Sequence, residues 1–386
     1  MAIVLFDNRN RKTFLPLTAT RAIADLRMGI FTIKERWEKI TGEDVFVHTV
    51  EYLKQLYENI PEGEHIWIDS TVIVSDELLL AINELKLNEA LMDKQGLIAG
   101  KTNQSPIFFD SLNNLNGFES LKGIEVKRLE VPQQIFQWNN QFLKSDFKLI
   151  TANRVSEPIS LTNILINPSD IFIEEGVTME YCTLNATAGP IYIGKYATLM
   201  EGCFIRGPFS LGNNSLIKMG GKMYGATTIG PNCVVGGEIK NIVMLGNSNK
   251  AHDGYLGDSL IGEWCNFGAG TSNSNVKNTG GDVHLWNYAF NGYISAGQKC
   301  GLIMGDYSRV AINSCINTGS VIGVCANVFG AGLLPKVISD FSWGLNERYI
   351  FEKALSDINN WTKMKHHDLS QEEIDVLRAI FGGVGN

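Results

Sequence analysis

Long apolar runs and an excess of positive charge are both missing from this chain of 386 residues. No segment approaches the roughly 20 consecutive apolar residues of a membrane-spanning helix. The apolar start, residues 1–6, follows no basic region, so it predicts a buried strand rather than a secretory signal. A formal net charge of -8 argues against nucleic acid or an anionic membrane surface as the main partner. We therefore predict a cytoplasmic protein.

Paired cysteines are missing too. The chain has seven cysteines, an odd number, with no CxxC pair, and all of them lie between Cys182 and Cys325. This pattern argues against a disulfide framework and against a cysteine-rich zinc site. We expect the cysteines to be small residues of a buried core.

Glycine is scarce in the first part of the chain. Residues 1–150 hold 7 of the 39 glycines, and residues 151–386 hold 32. The first part alternates short aliphatic runs with helical patterns, which predicts an α/β layer structure. Strands are expected at 2–6, 45–50 and 66–74, and helices at 30–40, 76–87 and, after Pro132, at 133–148.

A six-residue rhythm dominates the second part, with an aliphatic residue that is often followed by glycine. Two runs keep phase: Ile193, Leu199, Ile205, Leu211 and Ile217, and then Met304, Val310, Ile316, Ile322 and Val328. This period predicts a left-handed parallel β-helix in which three hexapeptides form one triangular coil. Small residues in the fifth place of each unit should point inward: Ala197, Cys203, Ser215, Cys233 and Cys265.

The rhythm breaks at two places before it ends. Ile229 and Ile261 are 32 residues apart, which is not a multiple of six, and residues 272–299 lose the pattern. We interpret both breaks as excursions from the coil, where binding residues tend to lie. Beyond the repeats, residues 356–381 predict one or two terminal helices, with a capping-box signal that starts at Ser370.

Polar residues at positions that the repeat does not explain cluster between Glu238 and Val276. They form Glu238-Ile239-Lys240, then Lys250-Ala251-His252 with Tyr255-Leu256-Gly257-Asp258, then Asn266-Phe267-Gly268-Ala269-Gly270-Thr271, and then Asn275-Val276. This series resembles the acetyltransferase half of the GlmU family, the bifunctional N-acetylglucosamine-1-phosphate uridyltransferases and glucosamine-1-phosphate acetyltransferases. One residue is missing before His252 relative to the family, but the spacing from His252 to Tyr255 and Asn266 agrees.

Acetyl transfer to an amino sugar needs a neutral amine, which is mostly protonated near pH 7. Histidine is the side chain with the right pKa for a base at that pH. The resemblance implies that His252 is this base and that Glu238 orients or polarises it. It further implies phosphate binding by Lys240 and by Lys222 (where the family has arginine), sugar and phosphate contacts by Tyr255 and Asn266, and acetyl-CoA contacts by Ala269 and Asn275.

Zinc chemistry with three histidines, as in γ-type carbonic anhydrases, is a rival activity for such a β-helix. Within the repeat region the sequence has only His252 and His284. One chain therefore cannot supply the three ligands.

The N-terminal part lacks the glycine-rich loop with which sugar-nucleotide transferases wrap nucleotide phosphates. Yet residues 14–21 (FLPLTATR) resemble the P-L-T-x-x-R stretch of those enzymes, and residues 14–37 resemble a divergent GlmU-like family from Bacteroidetes with a reduced nucleotidyltransferase half. Nearby basic residues could then hold phosphate: Arg11, Arg21 and Arg27. Asp69, at a predicted strand end, is a candidate Mg²⁺ ligand.

These patterns predict a reduced nucleotidyltransferase-like α/β domain at 1–131, a linker helix at 132–155, a β-helix acyltransferase domain at 156–342 and a helical tail at 343–386. The predicted activity is acetyl-CoA-dependent N-acetylation of glucosamine-1-phosphate by a homotrimer. Uridylyl transfer from UTP with Mg²⁺, giving UDP-N-acetylglucosamine, is a further possible step.

Two alternatives stay open at this point. The chain could be a sugar-1-phosphate nucleotidyltransferase that uses UTP or dTTP and whose β-helix serves only assembly. It could also be a non-enzymatic assembly or regulatory protein.

Overall fold

A computed structural model describes residues 2–103 and 118–384. The N-terminal part forms a six-stranded mixed sheet in the order β4-β1-β5-β7-β6-β8, in which β1 is parallel to β4 and β5. The strands are β1 Ala2–Phe6, β2 Arg27–Met28, β3 Phe31–Thr32, β4 Val45–His48, β5 His65–Asp69, β6 Glu89–Asp93, β7 Gly96–Thr102 and β8 Ser120–Gly123. The helices are α1 Ile33–Thr41, α2 Glu51–Lys54, α3 Asp76–Asn83 and α4 Gln134–Thr151.

The helix expected at 30–40 starts later, at Ile33, because Phe31–Thr32 pairs with Arg27–Met28 as a short strand. Thr32 and Glu35 form a capping box at the start of α1, and Gly42 ends it in the left-handed region with φ 70. Short 3₁₀ turns fill the chain between β1 and β2, at Arg9–Phe14, Leu17–Ala19 and Ile23–Asp25.

Helix α4, expected as a linker, is a shared core element of both parts. Asn139 accepts a hydrogen bond from the Gly29 backbone at 2.6 Å and donates to the Ala226 carbonyl at 2.7 Å. One buried amide thus joins the N-terminal part to the repeat region, so the two parts pack directly against each other.

The repeat region is a parallel β-solenoid with three faces, as predicted. Face A comprises Ile171–Ile173, Ile191–Ile193, Phe209–Leu211, Thr227–Ile229, Val243–Gly246, Leu260–Glu263, Leu302–Met304, Ser320–Ile322 and Val337–Ile338. Face B comprises Thr178–Met179, Thr198–Leu199, Leu216–Ile217, Val234–Val235, Asn249–Lys250, Asn266–Phe267, Arg309–Val310, Asn327–Val328, Ser342–Trp343 and Glu347–Arg348. Face C comprises Ile164–Ile166, Thr183–Asn185, Phe204–Arg206, Lys222–Tyr224, Glu238–Lys240 and Tyr255–Gly257.

The inward-pointing small residues are buried, as the repeat predicts: Ala197, Cys203, Ser215, Cys233 and Cys265. Ser215 shows how a polar residue is tolerated there. Its hydroxyl donates to the Gly230 carbonyl at 2.8 Å and accepts from the Cys233 backbone at 2.9 Å. Cys315 is the exception among the cysteines, because it is exposed.

Coil length explains the first break in the rhythm. Ile193 pairs with Leu211 and Leu211 with Ile229, eighteen residues on each time, but Ile229 pairs with Met244 after fifteen and Met244 with Ile261 after seventeen. The expected excursion between Ile229 and Ile261 is therefore wrong: two coils are shorter, and no loop leaves the solenoid.

The second break is a true excursion. Two strands, His284–Asn287 and Gly292–Ser295, form an antiparallel hairpin that leaves the coil. The Asn287 side chain donates to the Thr13 carbonyl at 3.1 Å, and Gln137 of α4 donates to the Ala296 carbonyl at 3.1 Å. The hairpin thus packs against the N-terminal part.

Two of the three solenoid faces are covered by other elements of the chain. Outward residues of face A, such as Val243 and Leu260, share one apolar core with the N-terminal sheet. Face B is covered by α5, Phe351–Lys363, and α6, Gln371–Phe381, the latter with the capping box expected at Ser370. Face C carries exposed side chains such as Ile164 and Phe204.

Neither described range contains a helix long and apolar enough to cross a membrane.

Candidate functional site

The predicted site residues of face C stand in two outward rows, because residues alternate inward and outward along each strand. Lys222, Glu238 and Tyr255 pair with one another from coil to coil, and so form one row. Tyr224 and Lys240 stand in the second row, two residues along the same strands. Between the rows the side chains of Met223, Ile239 and Leu256 point into the core.

Tyr224 connects the two rows. Its hydroxyl donates to the Glu238 carboxylate at 2.5 Å, and this bond, together with partial burial, raises the pKa of Tyr224 to about 12. The Lys240 ammonium lies 5.9 Å from the centre of the Tyr224 ring. Sequence reasoning missed Tyr224, although the alternation places it on the same face as Lys222.

A second polar group surrounds Tyr255. Asn275 donates to the Tyr255 hydroxyl at 3.0 Å and also to the buried carboxylate of Asp258. Asn241 donates to the same carboxylate at 2.6 Å. Burial, and then the negative charge of Asp258, raise the pKa of Tyr255. The ring of Tyr255 lies over Gly257, where a Cβ atom would meet its hydroxyl at 2.2 Å.

His252 lies on the corner loop, residues 251–254, which connects face B to face C. Its side chain is exposed, and within the described ranges its ring makes no hydrogen bond to the chain. The loop packs on Gly237, where a Cβ atom would lie 2.8 Å from the His252 carbonyl oxygen. His252 therefore stands beside the strand that carries Glu238, but the Glu238 carboxylate bonds to Tyr224. The orienting role of Glu238 stays a prediction.

The remaining predicted site residues lie elsewhere on the coil. Ala269 is on the corner above His252, since Gly254 packs against residues 270 and 271. Asn266 is on face B, where it pairs in register with Arg309 beneath α5. The structure therefore brings Ala269 to the His252 corner and places Asn266 apart from the face C rows.

The three arginines proposed for nucleotide binding have partners within the chain. Arg11 is buried and pairs with Asp7 at 3.1 Å. Arg21 pairs with Glu263 at 3.1 Å and with the buried Asp306 of the solenoid. Arg27 lies 3.4 Å from Glu35. These guanidinium groups hold the chain together, and a nucleotide phosphate would have to displace their carboxylate partners.

A cavity of about 350 Å³ lies where the N-terminal part, the solenoid and α6 meet. Its walls include Arg21, Tyr57 and Trp264. Its carboxylates are already bonded: Asp25 accepts from the Tyr57 hydroxyl at 2.5 Å, and Asp306 accepts from the Thr20 hydroxyl at 2.6 Å. The cavity is separate from the face C rows.

The surroundings of Asp69 do not fit the predicted Mg²⁺ site. Its carboxylate accepts hydrogen bonds from Arg128 at 2.5 Å, Asn8 at 2.7 Å and the Thr71 hydroxyl at 2.8 Å. Asp93 also bonds to Arg128, at 2.7 Å. Within residues 2–103 and 118–384, no cluster of three or more acidic, histidine or cysteine residues could hold a metal ion. The guanidinium of Arg128 thus occupies the position beside Asp69 that a cation would need.

Comparison with known proteins finds a family model that matches the N-terminal part, and relatives that cover more than half of the chain. Residues 3–155 match the family described as sugar nucleotidyl transferase. The chain is 27% identical over 239 residues to the bifunctional protein GlmU of Methanococcus vannielii, which covers 58% of this chain and 49% of that protein. It is 25% identical over 228 residues to the GlmU of Methanocaldococcus jannaschii, covering 55% and 47%.

The chain is thus similar to the GlmU proteins, and its N-terminal part is similar to the sugar nucleotidyl transferases. The chain spans about half the length of the curated relatives it matches. A solved structure, the Arabidopsis UDP-N-acetylglucosamine acyltransferase, is 15% identical with a TM-score of 0.29, over 54% of this chain and 80% of that one.

Proposed function

We propose that this chain transfers the acetyl group of acetyl-CoA to the amino group of an amino-sugar phosphate, with glucosamine-1-phosphate as the first substrate to try. One observation supports this most: two cationic and two phenolic side chains stand in rows on the uncovered face C, beside an exposed histidine on the adjoining corner. The GlmU relatives supply the chemistry that such a site would perform.

The phosphate is assigned to Lys222 and Lys240. They lie on neighbouring strands of the same face, and Lys222 is exposed. The molecule as a whole is negative, so a sugar phosphate needs such a local pair of ammonium groups. The Tyr224 ring beside Lys240 offers an apolar surface for the sugar.

His252 is assigned as the base. The amine of the sugar attacks the thioester carbonyl, a C–N bond forms and the C–S bond breaks, and the imidazole takes the proton that the amine loses. The same proton then goes to the departing thiolate of CoA. An exposed imidazole that makes no hydrogen bond to residues 2–103 or 118–384 is free to do this.

Ala269 and Asn275 are assigned to the acetyl-CoA side of the site. The Asn275 amide nitrogen is held by Tyr255 and Asp258, so its remaining polar atom, Oδ1, has a defined direction. A homotrimer is part of the proposal. Its support is the uncovered face C, where Ile164 and Phe204 are 61% and 57% exposed.

Nucleotidyl transfer is not part of the proposal. The carboxyl edge of the N-terminal sheet, where a nucleotide would bind in such folds, is occupied by buried pairs of the chain's own side chains. The proposal is therefore limited to acetyl transfer.

The decisive experiment is thiol release from acetyl-CoA with glucosamine-1-phosphate. We expect His252→Ala to lower kcat by roughly 10²–10⁴-fold, the usual contribution of a general base. His284→Ala is the matched control, because His284 is also exposed but lies on the hairpin. A folded wild type that releases no thiol with any amino-sugar phosphate, or equal losses in both variants, would contradict the proposal.

A further inference from the structure

Lys250 occupies an inward-facing position of the solenoid core. In the column that runs up face B it follows Leu199, Ile217 and Val235, each paired with the next. Its side chain is only 1% exposed. A buried ammonium is strongly unfavourable unless it is bonded, and an aliphatic residue would fill this space at no such cost. The lysine therefore needs an explanation beyond packing.

The ammonium bonds to the loop that carries the candidate base. Lys250 Nζ donates to the carbonyl oxygen of His252 at 2.5 Å. Burial lowers the pKa of Lys250 to about 8, as expected for an amine drawn into the core. The negative charge of Asp253, on the same loop, opposes this shift.

The carbonyl held by Lys250 is also packed against the preceding coil. The loop packs on two glycines of the preceding coil: a Cβ atom at Gly236 would lie 2.4 Å from the Ala251 oxygen, and one at Gly237 2.8 Å from the His252 oxygen. Because a peptide is planar, fixing this oxygen limits the orientation of the His252 backbone. The direction in which the imidazole leaves the chain is limited in the same way.

We propose that Lys250 is a positioning residue for His252, and that it acts by anchoring the corner loop 251–254 from inside the solenoid. The role in catalysis rests on the proposed acetyl transfer. The anchoring of the loop can be measured without it. The side chain does not reach the substrate, so it is not a catalytic residue.

The test compares Lys250→Met, which keeps the length and loses the donor, with Lys250→Gln, which keeps an N–H donor without charge. We expect Lys250→Met to lower kcat by about 10²-fold with little change in KM for acetyl-CoA, the scale of a misplaced catalytic group. Lys250→Gln should recover part of the loss. Hydrogen exchange at residues 251–254 should be faster in Lys250→Met than in the wild type.

Leu199→Ala is the matched control, because Leu199 stands in the same inward column, three coils from Lys250. It should lower Tm and leave kcat and loop exchange unchanged. Wild-type exchange at 251–254 in Lys250→Met would overturn the proposal. If that variant does not fold, the same result in Lys250→Val would overturn it, because valine has no donor and already fills this inward column at Val235. A wild type that does not transfer acetyl groups would contradict the proposed function. The hydrogen-exchange rates would still show whether Lys250 anchors the loop 251–254.

Discussion

Two regions of this molecule hold similar polar side chains in opposite ways. At the carboxyl edge of the N-terminal sheet, Asp69 and Arg128 are almost completely buried and bonded to each other. On face C, Lys222 is exposed and Glu238 is half-buried, with a tyrosine as its partner. The first arrangement stabilises a fold, and the second leaves donors and acceptors available to a ligand.

The comparison teaches that residue type alone does not mark a site. Arg11 and Arg21 fit a phosphate site by composition, but each guanidinium is matched to carboxylates within the chain. What separates the two regions is whether a charged group already has a buried partner.

The largest expected effect comes from breaking the buried network. Arg128→Met leaves the carboxylates of Asp69 and Asp93 in the interior without their cation, which should lower the free energy of unfolding by about 3–5 kcal/mol. Urea denaturation measures it. Lys34→Met is the control: its ion pair with Glu38, at 3.7 Å, is at the surface and should change stability by about 0.5 kcal/mol or less.

Acetyl transfer per folded molecule should stay at the wild-type level in Arg128→Met. A stability loss as small as that of the control would mean that the edge of the sheet is not held by this network. The carboxyl edge of the N-terminal sheet would then again be a candidate ligand site.

Asp7 gives a smaller, pH-dependent effect in the same region. Burial raises the pKa of Asp7 from 3.8 to about 6, despite the nearby Arg11. The folded protein therefore holds the Asp7 proton more tightly than the unfolded chain does. The stabilisation that results is fully present below pH 4 and is lost as the pH rises through 6. The stability of the wild type relative to Asp7→Asn should fall by about 2 kcal/mol across this window.

Urea midpoints of both proteins between pH 4 and pH 7.5 would show this trend. The exposed Asp44→Asn is the comparison variant for a carboxylate at the surface. If the stability of the wild type relative to Asp7→Asn rose with pH instead, the ion pair with Arg11 would outweigh burial in setting the pKa of Asp7.

The smallest expected effect is on face C. Tyr224→Phe removes one hydrogen bond from Glu238, and should lower the free energy of unfolding by about 1 kcal/mol or less. Thermal melts against Tyr293→Phe, an exposed tyrosine of the hairpin, measure it. If Tyr224→Phe lowered the free energy of unfolding as much as Arg128→Met does, the polar side chains of face C would stabilise the fold, as those at the sheet edge do.

Much of the solenoid could be predicted from the sequence, because its period repeats locally. The inward positions of Ala197 and Cys233 follow from counting six residues at a time. Counting fails between Ile229 and Ile261, where the coils shorten to fifteen and seventeen residues. For that reason the inward position of Lys250, which depends on a shortened coil, could not be derived from the rhythm.

The partners of the N-terminal arginines could not be predicted for a different reason. Arg21 and its partner Asp306 are 285 residues apart, and no local pattern indicates such a contact. The site on face C was easier, because its residues follow one another at coil spacing within a short segment. The same spacing would have predicted Tyr224. It would not have predicted Asp258, because the place of Asp258 in the site depends on its hydrogen bonds with Asn241 and Asn275.

The hairpin at 284–295 has a consequence for how the chain is made. Val283 and Leu285 belong to the same apolar core as Ile3 and Trp37, so the first domain to leave the ribosome lacks part of its interior until Leu285 has been synthesised. A nascent N-terminal sheet would expose that apolar surface during synthesis. The order of translation and the order of folding therefore differ, and we expect the chain to melt as one cooperative unit.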